Sequence, residues 1–373
     1  MAPIGSLVVE RSEKVSATDF PALSVGKRGV TPQLEGVAKT QTDGDRKLVR
    51  AGDLVINSRS DRRGAAGLAR QDGSVSLVYS VMTPKPRVLL AEYGHHLLRS
   101  TAFQEEFFRW GTGIVDDLWS TNFTRMSRIH IPLPPPGVQR SIADHLDQVD
   151  AMIGKLDDLT EQLTAHRRTN LVTLGRQLVA PGERTRVGLL LTKQSLDARP
   201  GDGVVTAFRD GQVTLRSRRR EEGFTMSFIE AGYQGVEPGD FVFHGLDGFA
   251  GAVGVSEDRG KVSPVYHVCN ATPLASERFM AWALRALAAN GFLEAYASSV
   301  RQRSVDFRNW TTFAGLPITY LPLDEQQRIA NHLDEVFGKI NAMLASVAKL
   351  KELLVERSSA FITAVVTGKK EVA

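Results

Sequence analysis

Two triplets in this chain have the composition of a catalytic or metal-binding pair: His145-Leu146-Asp147 and His332-Leu333-Asp334. An imidazole two residues from a carboxylate could share a proton or begin a metal site. A metal site needs further His or Cys ligands at ligand spacing, and neither triplet has them. Both triplets also sit about one turn into long helical stretches, beside apolar positions, where packing or capping accounts for them. Other chemistry fails on spacing. Gly254-Val255-Ser256-Glu257-Asp258-Arg259-Gly260-Lys261 approaches a phosphate-binding loop, but it has one residue too many between its glycines, and Val262 stands where Ser or Thr is required. It reads as a turn between strands. The Asn/Asp-Pro-Pro-aromatic loop of an adenine methyltransferase does not occur, nor does a nuclease-like set of spaced carboxylates with a following Lys.

The remaining chemistry is cationic. DNA readers use Lys and Arg on phosphates, and Arg, Lys, Asn or Gln on base edges. The first half offers Lys27 and Arg28, then Asn57, Arg59, Arg62 and Arg63 after the apolar run Leu54-Val55-Ile56. That cluster runs into Gly64-Ala65-Ala66-Gly67, which suits a loop lying close to a ligand. The second half offers Arg209, then Arg216, Arg218, Arg219 and Arg220, then Arg301 and Arg303. Such charges are often a solvated surface; their recurrence at similar places in both halves favours DNA. Tyr79 and Tyr266 could stack on sugars or bond phosphate, although a buried strand tyrosine with a satisfied hydroxyl is the plainer reading.

The elements that must carry these residues occur twice. Ile142-Ala143-Asp144-His145-Leu146-Asp147 returns as Ile329-Ala330-Asn331-His332-Leu333-Asp334, 187 residues later. The same offset joins Gly52-Asp53-Leu54-Val55 to Gly239-Asp240-Phe241-Val242, and Val78-Tyr79-Ser80-Val81 to Val265-Tyr266-His267-Val268. A repeat of half the 373-residue chain describes two whole domains, since it is far too long for a solenoid. The framework repeats while the loops diverge: Asn57-Ser58-Arg59-Ser60-Asp61-Arg62 corresponds to His244-Gly245-Leu246-Asp247-Gly248-Phe249. Divergent loops on a repeated scaffold suit two domains that read different sequences.

Each half begins with short apolar runs between Gly, Pro, Asp and Asn, which predict strands at Leu48-Val49, Leu54–Ile56 and Val75–Tyr79, and at Gly203–Phe208, Gln212–Leu215 and Asp240–His244. One helix is predicted over Leu89–Trp110 and one through Arg278–Leu284. Each half ends in a long heptad-patterned helix. In the first tail apolar residues fall at Ile142, Leu146, Val149, Ile153, Leu156 and Leu163. In the second they fall at Ile329, Leu333, Val336, Ile340, Met343, Val347, Leu350 and Leu354. This spacing predicts helices that pair along a narrow seam. The fold class is therefore α+β: two similar globular domains (1–136 and 184–322) separated by two long helices (137–183 and 323–373) in an antiparallel coiled coil, a pseudo-two-fold internal repeat. The alternative is that each helix folds back on its own domain. Gln139, Arg140, Gln326 and Arg328 mark the helix openings, and either tie the helix to its domain or contact a partner.

Composition sets the outer limits. At 42% apolar and 24% charged residues the chain is ordinary globular protein, with a mild basic excess of +4 that tolerates a polyanionic partner. The single cysteine, Cys269, excludes an intrachain disulfide, and fits a reducing, cytoplasmic setting. No apolar run approaches the roughly 20 residues of a membrane span. Three classes remain: a non-enzymatic DNA reader, a metal-dependent nuclease or hydrolase built on the His-Leu-Asp pairs, and a coiled-coil interaction protein that does not bind DNA.

A Pro-rich strand exit followed by Gln-Arg-x-Ile-Ala-x-His-Leu-Asp opens a long helix in both halves. The second copy reads Leu321-Pro322-Leu323-Asp324-Glu325-Gln326-Gln327-Arg328-Ile329, and its helix closes in Ala364-Val365-Val366-Thr367-Gly368-Lys369. Over nearly its whole length the chain resembles the specificity subunit of type I restriction-modification systems. The first copy departs from the pattern: Gly137-Val138 replaces the usual acidic residue before Gln139, and the helix ending is degraded over 168–180. The resemblance implies a subunit without chemistry of its own. Each target-recognition domain would read one half of a bipartite, asymmetric double-stranded DNA target. The helices would set the spacing and dock two modification subunits, methyltransferases that carry S-adenosylmethionine. A restriction subunit using ATP could join them. The protein itself would need no cofactor or metal.

Overall fold

The computed structural model describes residues 1–16, 18–26, 29–33, 45–59, 64–112, 120–219, 232–297 and 306–366. The chain forms two compact units, Met1–Asp157 with Ala348–Ala373, and Asp158–Val347. Each unit takes in part of both long helices, the first spanning Pro136–Val179 and the C-terminal one Leu323–Val366.

The first unit is built on four antiparallel strands, β1 (Val8–Glu10), β2 (Leu54–Asn57), β3 (Ala66–Leu68) and β4 (Tyr79–Pro84), in the order β1-β4-β2-β3. The run Leu54-Val55-Ile56 is apolar throughout because both faces of β2 are covered. Leu54 and Ile56 face Tyr93, Leu97 and Leu98 of α1 (Ala91–Arg99) and Phe103 and Phe107 of α2 (Thr101–Arg109). Val55 points the other way, with Val81, into a second core that includes Leu23, Val25 and Val75. The single helix expected over Leu89–Trp110 is thus two helices. Ser100 breaks it, taking an extended backbone and accepting from the Phe103 amide with its hydroxyl (3.3 Å) to cap α2. The expected strand Val75–Tyr79 is also broken: Gly73–Val75 ends one sheet, Ser76 to Val78 turn, and Tyr79 starts β4.

The second unit repeats this frame. Its strands are β5 (Leu191–Lys193), β6 (Val205–Ala207), β7 (Val213–Leu215), β8 (Phe241–His244), β9 (Val253–Val255) and β10 (Tyr266–Ala271). The main sheet runs β5-β10-β8-β9, the order of the first unit, while β6 and β7 form a separate hairpin. Phe241 and Phe243 face the helical core that contains α3 (Glu277–Ala289), and Val242 faces the opposite core. The Gly254–Lys261 stretch is indeed the end of one strand, a turn, and the start of another.

The repeated Gly-Asp dipeptide has a physical cause. Gly52 and Gly239 both adopt φ +96°, a left-handed conformation that favours glycine. The next residue closes the turn: Asp53 Oδ2 accepts from the Arg50 amide and Asp240 Oδ2 from the Glu237 amide, each at 2.8 Å. Their other bonds differ. Arg11 and Thr83 complete the shell of Asp53, and Asn270 donates to Asp240.

Within each unit the long helices meet in antiparallel order. In the first, Ile142 and Leu146 share a core with Phe361, Ile362 and Val365, and Lys351 pairs with Asp157. In the second, Leu174 and Leu178 share a core with Ala330, Leu333 and Phe337. Each helix opening also packs on its own domain, so the two expected arrangements coexist. The heptad register needs correction on the C-terminal helix. Ile340 and Val347 are buried, but Met343 and Leu350 are 47% and 43% exposed. Half-buried Leu344 and Lys351 lie inward in their place.

The helix openings are fixed by two glutamines, both 0% exposed. Gln139 Oε1 accepts from the Leu90 amide (2.8 Å), and its Nε2 donates to the Val88 and Pro134 carbonyls (both 2.9 Å). Gln326 does the same with the Ser276 amide (3.2 Å) and the Leu274 and Leu321 carbonyls (2.9 and 2.8 Å). The partner-binding expectation for Gln139 and Gln326 therefore falls: both amides are enclosed and bonded to backbone. Arg140 and Arg328 remain exposed, the latter paired with Glu325. Gln139→Ala or Gln326→Ala leaves one buried amide N–H and two carbonyls unpaired, at about 1–3 kcal/mol for a group left unsatisfied. Each should lower the unfolding free energy measured in urea by at least about 2 kcal/mol, with fast hydrogen exchange at Leu90 or Ser276 respectively; a change within 0.5 kcal/mol of wild type, about the size of an ordinary surface substitution, would refute the role.

Candidate nucleic-acid interface

Three of the arginines singled out in the sequence converge in the second unit. The β6–β7 hairpin, the residues just after it and the loop following β8 enclose an open bowl of about 580 Å³, lined by Thr206, Arg209, Arg216, Arg219, His244 and Tyr266, among others. Each guanidinium is held in place. Arg209 donates to Asp247 (2.9 Å) and Arg216 to the Thr206 hydroxyl (3.3 Å). Arg219 binds both oxygens of Asp210 (3.0 and 2.8 Å) and lies over the Phe208 ring at 4.1 Å. Paired along one edge, a guanidinium keeps further N–H groups for a ligand. Arg218 behaves differently. It pairs with Asp258 (2.8 Å), whose buried carboxylate is held well below the usual range by hydrogen bonds from the Thr214 hydroxyl and the Leu215 amide. Its first role is to pin the segment after β7.

In the first unit Arg59 is exposed beside a short bridge to Ser120. Asn57 is a correction. It is 5% exposed and its Oδ1 accepts from the Arg59 amide (3.0 Å), so it shapes the loop from below and offers DNA nothing directly. Its repeat partner His244 does the same work: Nδ1 accepts from the Leu246 and Asp247 amides (3.2 and 2.9 Å). Lys27, Arg28, Arg62, Arg63, Arg220, Arg301 and Arg303 lie outside the described residues. Tyr266 is buried in the frame, its hydroxyl pushed up to about 12 by burial, whereas Tyr79 is half-buried.

The His-Leu-Asp triplets prove structural. Leu146 and Leu333 enter the cores. Asp147 accepts from His96 Nε2 on α1 (2.8 Å), and Asp334 from Trp282 Nε1 on α3 (2.7 Å) and from Arg278. The aspartate of each triplet thus clasps the helix to its own domain. His145 packs on the Phe361 ring (4.7 Å between centroids), while His332 is exposed. Near the first clasp, His95, His96 and Asp150 present ligand atoms within 4.8 Å of one another. Arg99 already supplies the cation there, donating to Asp150 (2.8 Å) and lying 2.9 Å from His95 Nε2. Sequence reasoning missed these clasps, whose donors lie about 50 residues from their acceptors.

No protein-family profile matches the chain, and no curated protein matches it by sequence. Solved structures match over almost all of it. One, described as the structural basis of complex assembly and conformational transition of the type I R-M system, gives a TM-score of 0.60 at 14% identity, covering 97% of this chain and 96% of that one. The type I restriction-modification S subunit from M. genitalium gives 0.53 at 13% identity, covering 100% and 96%. The HsdS subunit from Thermoanaerobacter tengcongensis gives 0.50 at 15% identity, covering 99% and 96%. At such identities the likeness establishes the fold.

Two predictions follow from this geometry. Reversing Arg216 and Arg219 to Glu should weaken DNA binding and flatten its dependence on salt, since each phosphate contact adds about 0.9 to the log–log slope; an unchanged slope in a filter-binding series would remove the bowl from the interface. Buried imidazoles make the second. His95 (pushed down to about 3), His96, His244 and His267 are all lowered by burial first of all. The unfolded chain then binds more protons than the folded one below about pH 6.5. Stability is complete above that value and declines as pH falls toward the folded-state values. Melting temperature should drop between pH 7 and pH 5, and His95→Gln should make that drop smaller.

Proposed function

We propose that this chain is the DNA-specificity subunit of a type I restriction-modification complex. One observation carries the reading: a four-stranded sheet occurs twice in the same strand order, and the copies differ where Asn57 and His244 begin the loops. Each domain reads one half of a bipartite, asymmetric double-stranded target, the second through its arginine-lined bowl. The likeness in fold to S subunits supports this reading, since it extends over 97% to 100% of this chain.

The subunit carries no catalysis of its own. Among the described residues, the aspartates of both His-Leu-Asp triplets are taken up by clasps between helix and domain, and His145 packs on the Phe361 ring. The long helices set the distance between half-sites and dock two methyltransferase subunits, which bring S-adenosylmethionine; a restriction subunit that uses ATP completes the cleaving form. Met152, Met343, Leu350 and Leu353 are exposed on these helices and provide apolar surface for such partners. No helix among the described residues is long and apolar enough to cross a membrane. The protein works in the cytoplasm, beside the DNA it reads.

Mapping methylated adenines in cells that express the chain with its methyltransferase partner should give a two-part asymmetric motif with a fixed spacer. A continuous or palindromic motif would sink the proposal. Inserting one heptad into each long helix, within 156–163 and within 343–350, adds about 10 Å of helix, or about 3 base pairs of B-DNA. The spacer should lengthen by that amount with both half-sites unchanged. An altered half-site with the old spacer would show that the helices do not set the distance.

A further inference from the structure

Resting on the DNA-reading role just proposed, a more specific assignment follows from His244. Its ring lines the bowl beside Arg209, Arg216 and Arg219 and stands edge-on to Tyr266, with centroids 4.5 Å apart. Nδ1 is committed as an acceptor of two backbone amides, Leu246 and Asp247. A neutral imidazole carries one proton, so that proton sits on Nε2. Burial lowers the affinity of the ring for a second proton, and Arg209 opposes it further, against the pull of Asp247. At neutral pH the ring is therefore a fixed single donor. Among the described residues Nε2 has no hydrogen-bond partner; the nearest carboxylate oxygen, on Asp247, is 4.0 Å away and beyond bonding distance.

We propose that His244 is a base-reading residue of the second domain, whose Nε2–H bonds the major-groove acceptor edge of a guanine. The bowl selects among the bases. Guanine presents two adjacent acceptors, N7 and O6, to a donor-rich wall; adenine sets an amino group beside its N7, and thymine sets a methyl group beside its single O4. Three guanidiniums and an imidazole N–H offer donors only, and the two carboxylates that line the same bowl, Asp210 and Asp247, are taken up by Arg219 and Arg209. In the first domain the corresponding Asn57 is buried under its loop, so the two domains read differently at this point. That difference fits an asymmetric target.

The test uses the chain in complex with its methyltransferase partner and DNA bearing the mapped target. Each guanine of the motif is replaced in turn by 7-deazaguanine, which lacks the N7 acceptor, or by 2-aminopurine, which lacks O6. Wild type should lose affinity roughly tenfold at one guanine, the worth of about one hydrogen bond. His244→Asn keeps an acceptor for the loop, as Asn57 does, and should bind with no further loss on the same analogue. Three results would overturn the assignment while leaving the DNA-reading role intact: a specific target without guanine in either half, wild-type binding indifferent to every analogue, or a variant as sensitive as wild type. If wild type binds its partner but shows no sequence preference on unmodified DNA, the DNA-reading role itself is lost.

Discussion

The rest of the structure depends on a buried primary amide. A long helix that leaves a globular domain must be aimed, and aiming requires bonds to groups that do not move. Gln139 and Gln326 provide them: one acceptor and two donors, each matched to backbone, at the point where the helix departs. Among uncharged side chains only a primary amide offers an acceptor together with two N–H donors. Asn is one methylene shorter, and Glu would face two carbonyl oxygens with another oxygen. Because the partners are backbone groups, the sequence around them is free to change. The amide bonds are conserved between the halves while the flanking residues are not: Val88, Leu90 and Pro134 in one, Leu274, Ser276 and Leu321 in the other.

A second fastening, about two turns further on, shows which property of a contact the frame keeps. Asp147 and Asp334 occupy the same place and both accept an N–H, from an imidazole in one half and an indole in the other. The acceptor repeats and the donor varies. The glycine-aspartate turn follows the same rule, with a left-handed glycine and a carboxylate on a backbone amide in both halves and unrelated side chains around them. Geometry toward the backbone is what duplication has preserved.

This explains how much was legible in the sequence. The repeat, the strand at Leu54-Val55-Ile56 and the long helices are patterns of residue type along the chain, and all could be read there. The glutamine staples were legible only as one of two alternatives, because two of the three backbone partners of each come from about 50 residues away and leave no side-chain signature. Asn57 looked like a base reader for its type and position, yet burial turned it toward its own loop. The heptad pattern gave the helices but not the seam. An apolar residue at a seam position still needs a neighbour, and Lys351 displaced Leu350 by reaching Asp157. The arginines of the second bowl were legible as a cluster; their separation into Arg216 and Arg219 at the bowl and Arg218 pinned to Asp258 was not.

A loop that differs between the two units must be free to vary in sequence and still be held still, and the second unit shows how both are met. Arg99 of α1 and Arg285 of α3 hold corresponding positions, one residue out of the 187-residue register. Arg99 faces Asp150, whose counterpart on the C-terminal helix is Phe337. Having no carboxylate there, Arg285 lies over the Trp282 ring (4.4 Å from its centroid) and donates to the backbone carbonyl of Asp210 (2.5 Å). Burial pulls its guanidinium down to about 10, a measure of how far it has been withdrawn from water. Asp210 lies in the turn of the β6–β7 hairpin and anchors Arg219. A cation of the frame thus grips the β6–β7 hairpin through a carbonyl, a group that every residue type supplies. Side chains in that hairpin can change without loosening the grip, and the same logic that fixes the long helices fixes the loop.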